Sequence, residues 1–114
     1  MPLAFKHAFN GLLYFFRHER NGRVQLVAAI VTVGFAVALH ISATDWVAVL
    51  LCIGAVLSLE MLNSAIEKLC DIVHKEQHPV IKIIKDVSAA AVLFASVISI
   101  VIAVIIFLPK IFRL

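Results

Sequence analysis

An all-α integral-membrane fold is predicted, and three observations carry it. Of the 114 residues, 63% are hydrophobic and only 15% are charged, with a mean hydropathy of +1.08. A soluble domain this small cannot bury so much apolar surface, so its solvent is lipid. Three apolar runs follow one another, each at or near the length that crosses hydrocarbon. The polar residues are gathered in a few clusters, leaving the run from Trp46 to Leu59 without any charge. The chain reads as one domain, residues 1–114, with no repeat and no linker. Its net charge of +3 is too small and too scattered to suggest nucleic acid. Cys52 and Cys70 fall on one helix and match neither a metal motif nor a disulfide framework, which leaves them as packing thiols. No cleavable signal peptide is expected, because Lys6, His7 and Asn10 break up the apolar residues at the N-terminus.

Taken in order, residues from about 3 to 18 form an amphipathic surface helix. Phe5, Ala8, Phe9, Leu12, Leu13 and Phe16 make a wide apolar side, with Lys6, Asn10 and Arg17 mostly off it. Such a helix lies in the headgroup plane with its aromatic side in the acyl chains. Residues 17–23 are a polar hinge in which Gly22 is free to take unusual backbone angles. The first span runs from about 24 to 41, near the lower limit of length. Ser42 or Thr44 caps the next helix, and Trp46 belongs to the aromatic belt at that interface.

The second span covers about 45–73. Its uncharged part extends only about 21 Å, against a hydrocarbon core of ~30 Å, so Glu60 lies below the membrane surface. Pro79 pushes His78 out of helical geometry and ends the loop that begins at His74. The third span covers about 80–108 and stops at Pro109, with Ala89, Ala90, Ala91, Ser96 and Ser99 small enough for close helix approach. Eight basic residues, among them Arg23, Lys68 and Lys85, fall on one side of these spans and only Lys110 and Arg113 on the other. The crowded side is therefore cytoplasmic, with the N-terminus and every polar cluster on it.

The stretch from Glu60 to Asp71 carries the chemistry. At about 100° per residue, Glu60, Asn63, Glu67 and Asp71 share a stripe only about 80° wide on the second span. Most charge runs are simply solvated faces. Here like charges at helical spacing repel, and one of them lies where an ionised group is expensive, so a cation is the reason to keep them together. Carboxylate oxygens suit a hard divalent metal, and Lys85 beside Asp86 suits a polyphosphate. Metal and nucleotide at headgroup depth describe phosphoryl transfer to or from a lipid. Glu60, the deepest and least hydrated carboxylate, is placed to act as general base on a lipid hydroxyl. The four glycines, Gly11, Gly22, Gly34 and Gly54, form no phosphate-binding loop of the Walker type.

Other readings exist for several of these residues. Glu19 could pair with Arg23 at i, i+4, Asn63 could bridge helices, Lys85 could snorkel, and His74 and His78 could ligate metal. For the whole chain, the competing class is a small oligomeric transporter in which Glu60 carries protons or a cation. Against it, no ionisable group lies near the middle of the first or third span. A non-catalytic membrane subunit is a further alternative, and it gives no reason for the carboxylate stripe.

Glu60-x-x-Asn63-Ser-Ala-Ile-Glu67-x-x-x-Asp71, followed by Lys85-Asp86-x-x-Ala-Ala-Ala-Val92, resembles the small bacterial integral-membrane lipid kinases, the diacylglycerol kinase and undecaprenol kinase family. The likeness extends to residues 5–12 and to Glu19-x-Asn21-x-Arg23. It implies a surface helix with three spans, a homotrimer with sites shared between subunits, and ATP with Mg²⁺ as the phosphoryl source. By the same resemblance Glu60 is the general base that meets the lipid alcohol, and Glu19 and Glu67 hold the metal and its nucleotide. Asn63 and Asp71 support the site, and Glu76, Gln77, His78, Lys85 and Asp86 surround the nucleotide. The loop ending in His78-Pro79 looks more like the undecaprenol kinase branch, which leans the acceptor towards a polyprenol.

Overall fold

A computed structural model describes residues 2–74, 76 and 78–113, and among them it contains four α-helices and no strand. These are α1 (Pro2–His18), α2 (Arg20–Ala38), α3 (Ala43–Val73) and α4 (Pro79–Phe112). The last three are each long and apolar enough to cross a membrane, which makes this a multi-pass membrane protein. With 31 and 34 residues, α3 and α4 outreach a ~30 Å hydrocarbon core at about 1.5 Å per residue. Their overhang carries the charged residues.

Helix α3 is the middle of the bundle, packing most extensively on α4 and then on α2, while α1 rests on α2. The apolar core sits at one end, where Ala36, Ile41, Val49 and Ile106 are buried together with Trp46, Ile53, Ile102 and Phe107 against them. Much of the remaining apolar surface is open, as at Leu51, Leu93 and Phe94. In lipid this costs nothing comparable to its cost in water, because the tails are as apolar as the side chains.

The α2–α3 turn explains the position of that core. His40 stands at φ 51, the one positive-φ residue among those described. Its N–H donates to the Val37 carbonyl at 3.3 Å, and the Ile41 N–H donates to the Ala36 carbonyl at 3.3 Å. This pair of bonds is a Schellman closure, and Ile41 and Ala36 supply its usual apolar contact. Ser42 then caps α3, its hydroxyl accepting from the Asp45 N–H at 3.1 Å. A left-handed non-glycine residue costs about 1–2 kcal/mol. His40→Gly should therefore raise the thermal stability of the detergent-solubilised protein, by about 0.5–1 kcal/mol once the added freedom of the unfolded chain is set against it. A lower melting temperature would contradict the strain argument.

Three local expectations are corrected. The hinge of residues 17–23 shrinks to a single non-helical residue, Glu19 (φ −106, ψ 113), between α1 and α2. Gly22 adopts no unusual angle and is helical. It is needed for close approach instead, since a Cβ there would stand 2.5 Å from the ring of Phe15, the buried residue of α1. Pro109 does not end α4, which continues to Phe112. A proline removes one donor, but so near a helix end only one backbone bond is lost, and the Pro109 carbonyl still accepts from the Arg113 N–H at 3.2 Å.

Candidate functional site

The polar residues converge at the end of the bundle opposite the apolar core. The break at Glu19, the last turns of α3 and the first turns of α4 meet there, as the ion pairs between them record. Glu60 and Asn63 are the buried polar residues among those described, exposed by 6% and 8%. Asn63 is held by α4: its Oδ1 accepts from the Ser88 hydroxyl at 2.7 Å. An interhelical bond of this kind contributes about 0.6–2 kcal/mol in a membrane, and it fixes the amide beside Glu60 one helical turn away. The helix-bridging role of Asn63 is thus observed.

Glu60 and Glu67 lie two turns apart on one face of α3, and Glu19 meets the same helix at Lys68. Glu67 is exposed and takes part in no ion pair among the described residues. Glu19 does not pair with Arg23. Its Oε1 is 3.1 Å from Nζ of Lys68 on α3. Arg23 turns back to the end of α1 instead, its Nη1 donating to the carbonyls of Phe16 at 3.2 Å and Arg17 at 2.8 Å. A cation on the last carbonyls of a helix is favoured by the dipole as well as by the bonds. Arg23 so fixes the elbow from which Glu19 projects.

A second group lies where α3 ends and α4 begins. Asp71, His74, Glu76, His78, Ile81, Lys82, Lys85 and Asp86 line a cleft of about 170 Å³. Lys85 Nζ donates to Asp71 at 2.6 Å and Lys82 Nζ to Asp86 at 2.6 Å. His78 is extended (φ −128, ψ 135), as the following Pro79 requires, and its Nδ1 accepts from the Val80 N–H at 3.1 Å as the cap of α4. His74 Nδ1 bonds the Glu76 carbonyl oxygen at 2.7 Å. The Nδ1 atoms of both histidines are therefore committed to backbone. Gln77, also expected at the nucleotide, lies outside the described residues.

Two parts of this end were not singled out from sequence. Ser88 sits three residues after Lys85, so on the same face of α4, and that spacing was the available signal. Lys68 follows Glu67 directly and is turned about 100° from it, which carries it off the stripe and towards α1. Nothing local reveals that its partner is Glu19.

Among the described residues, no three or more His, Cys, Asp or Glu side chains converge as a preformed metal cage. Mg²⁺ is ordinarily held by one or two carboxylates and completed by phosphate oxygens and water, and Glu19 with Glu67 is a donor set of that kind. The Glu19 carboxylate is itself paired with the Lys68 ammonium.

The family profile of prokaryotic diacylglycerol kinase matches residues 6–107. The chain belongs to the prokaryotic diacylglycerol kinase family. Over 109 residues it is 41% identical to the undecaprenol kinase of Bacillus subtilis, covering 94% of this chain and 87% of that one. Over 113 residues it is 31% identical to the diacylglycerol kinase of Synechocystis sp., covering 98% of this chain and 65% of the relative. The protein is thus a lipid kinase, and the transporter alternative falls away.

Proposed function

We propose that this kinase transfers the γ-phosphoryl group of ATP to the hydroxyl of a membrane lipid alcohol at the cytoplasmic face of the bacterial inner membrane. The single observation that carries the reading is a buried carboxylate, Glu60, set one turn from an amide that is bonded across to α4. Glu60 accepts the hydroxyl proton as the lipid oxygen bonds to the γ-phosphorus and ADP departs with the bridging oxygen. Mg²⁺, held by Glu19 and Glu67 with the phosphates, supplies charge neutralisation when bound. Lys85, Asp86, Glu76, Gln77 and His78 surround the nucleotide, and Asp71 keeps Lys85 in place by the 2.6 Å bond. The surface position of α1 is supported by its open aromatic residues Phe5 and Phe9.

Undecaprenol is the favoured acceptor, on the higher identity to the Bacillus subtilis undecaprenol kinase, with diacylglycerol as the other. Incubating the purified protein with Mg-ATP and each alcohol, and resolving the phosphorylated lipids, tests both parts. Phosphate on neither would sink the activity, and a preference for diacylglycerol would reverse the acceptor.

We further infer that the single domain works as a homotrimer with sites completed between subunits. Glu67 is exposed, and Ala89 to Ala91 leave α4 open to a neighbouring helix. Mixing Glu60→Gln chains with Glu19→Ala chains is expected to restore part of the activity, because some mixed trimers regain one site with both residues intact. A dead mixture would mean that each chain holds a whole site, as the contact of Glu19 with its own α3 allows.

A further inference from the structure

Lys68 has no role in the chemistry so far, yet it touches both Glu19 and α1. Its Nζ is 3.1 Å from Glu19 Oε1, with the two side chains exposed by 49% and 25%. The same Nζ lies 5.5 Å from the centroid of the Tyr14 ring on α1. Tyr14 is itself stacked on His18, with ring centroids 4.2 Å apart, and the His18 Nδ1 bonds the Tyr14 carbonyl oxygen at 3.0 Å. The ammonium therefore stands between a carboxylate and a fixed aromatic face, and both attract it.

We propose that Lys68 is a built-in counter-cation for Glu19, a positioning residue that holds this carboxylate until a divalent cation arrives with its nucleotide. This rests on the reading of Glu19 as a metal ligand. An ammonium and a divalent ion cannot both sit within bonding distance of one carboxylate without strong repulsion. The lysine withdraws when the metal–nucleotide complex binds, and the Tyr14 ring face gives it a nearby place to go. The pair keeps Glu19 from standing as an unscreened carboxylate in the empty protein. It also makes cation binding a competition, so that the site does not fill with free metal. The alternative role, a simple tie between α1 and α3, makes the opposite prediction: cutting a tie loosens Glu19 and weakens metal binding.

Binding of Mn²⁺ together with a non-hydrolysable ATP analogue, followed by electron paramagnetic resonance on the detergent-solubilised full chain, separates these roles without relying on turnover. Lys68→Gln should bind the metal complex about two- to fivefold more tightly, the range for loss of one partly exposed competing ion pair. Lys68→Arg, which keeps the charge, should stay close to the wild type. Glu19→Gln should weaken binding, and in that background Lys68→Gln should have no further effect. Unchanged or weaker binding in Lys68→Gln overturns the proposal while Glu19→Gln still reports on the metal ligand. Tightening that persists in the Glu19→Gln background also overturns it, because a general loss of positive charge would then be the cause. If Glu19→Gln binds the metal complex as the wild type does, the metal assignment of Glu19 fails and the Lys68 proposal falls with it.

Discussion

Glu60→Gln is expected to lower lipid phosphorylation by ~10²–10⁴-fold, the usual worth of a general base, and to leave nucleotide binding near the wild-type level. The amide has the size and shape of the carboxylate and cannot take the hydroxyl proton. Glu60 is buried on the face of α3 that packs towards its neighbours, and Ser88 holds the adjacent Asn63, so the substitution should disturb little packing. Turnover at saturating lipid and Mg-ATP, measured alongside binding of a non-hydrolysable ATP analogue, gives the answer. Near-normal turnover would remove Glu60 from the role. A parallel loss of nucleotide binding would move it to the metal.

The place of Glu60 along α3 was legible in the sequence because it depends only on local quantities. A charge-free run of known rise per residue fixes how far along α3 the carboxylate sits, and helical spacing puts Asn63, Glu67 and Asp71 beside it. The Ser42 cap and the extended His78 were legible for the same reason. What stayed hidden depends on helix crossing angles. The partner of Glu19 is 49 residues away along the chain (68 − 19), and Ser88 meets Asn63 only because α3 and α4 approach closely at that level. Gly22 was misread because glycine serves both unusual backbone angles and close contacts, and only the position of Phe15 tells which. His40 gave no signal at all, since a left-handed residue at a helix end is ordinarily glycine or asparagine.

Glu67→Ala should raise the Mg²⁺ concentration needed for half-maximal rate at least tenfold, more than Glu19→Ala does. Mg²⁺ keeps few protein ligands, so each carboxylate carries a large share. Even partners that only orient a metal ligand are worth about 10–100-fold in affinity. The order of the two residues follows from their surroundings. Glu67 is exposed and bound by no ion pair among the described residues, so all of its attraction for the metal is available. Glu19 must first part from Lys68, which offsets some of what it gives. Initial rates titrated with Mg²⁺ at fixed ATP decide the matter. An unchanged metal requirement in both variants would take the metal away from this pair of carboxylates. A larger loss in Glu19→Ala than in Glu67→Ala would mean that Lys68 does not compete for Glu19 once the nucleotide is bound.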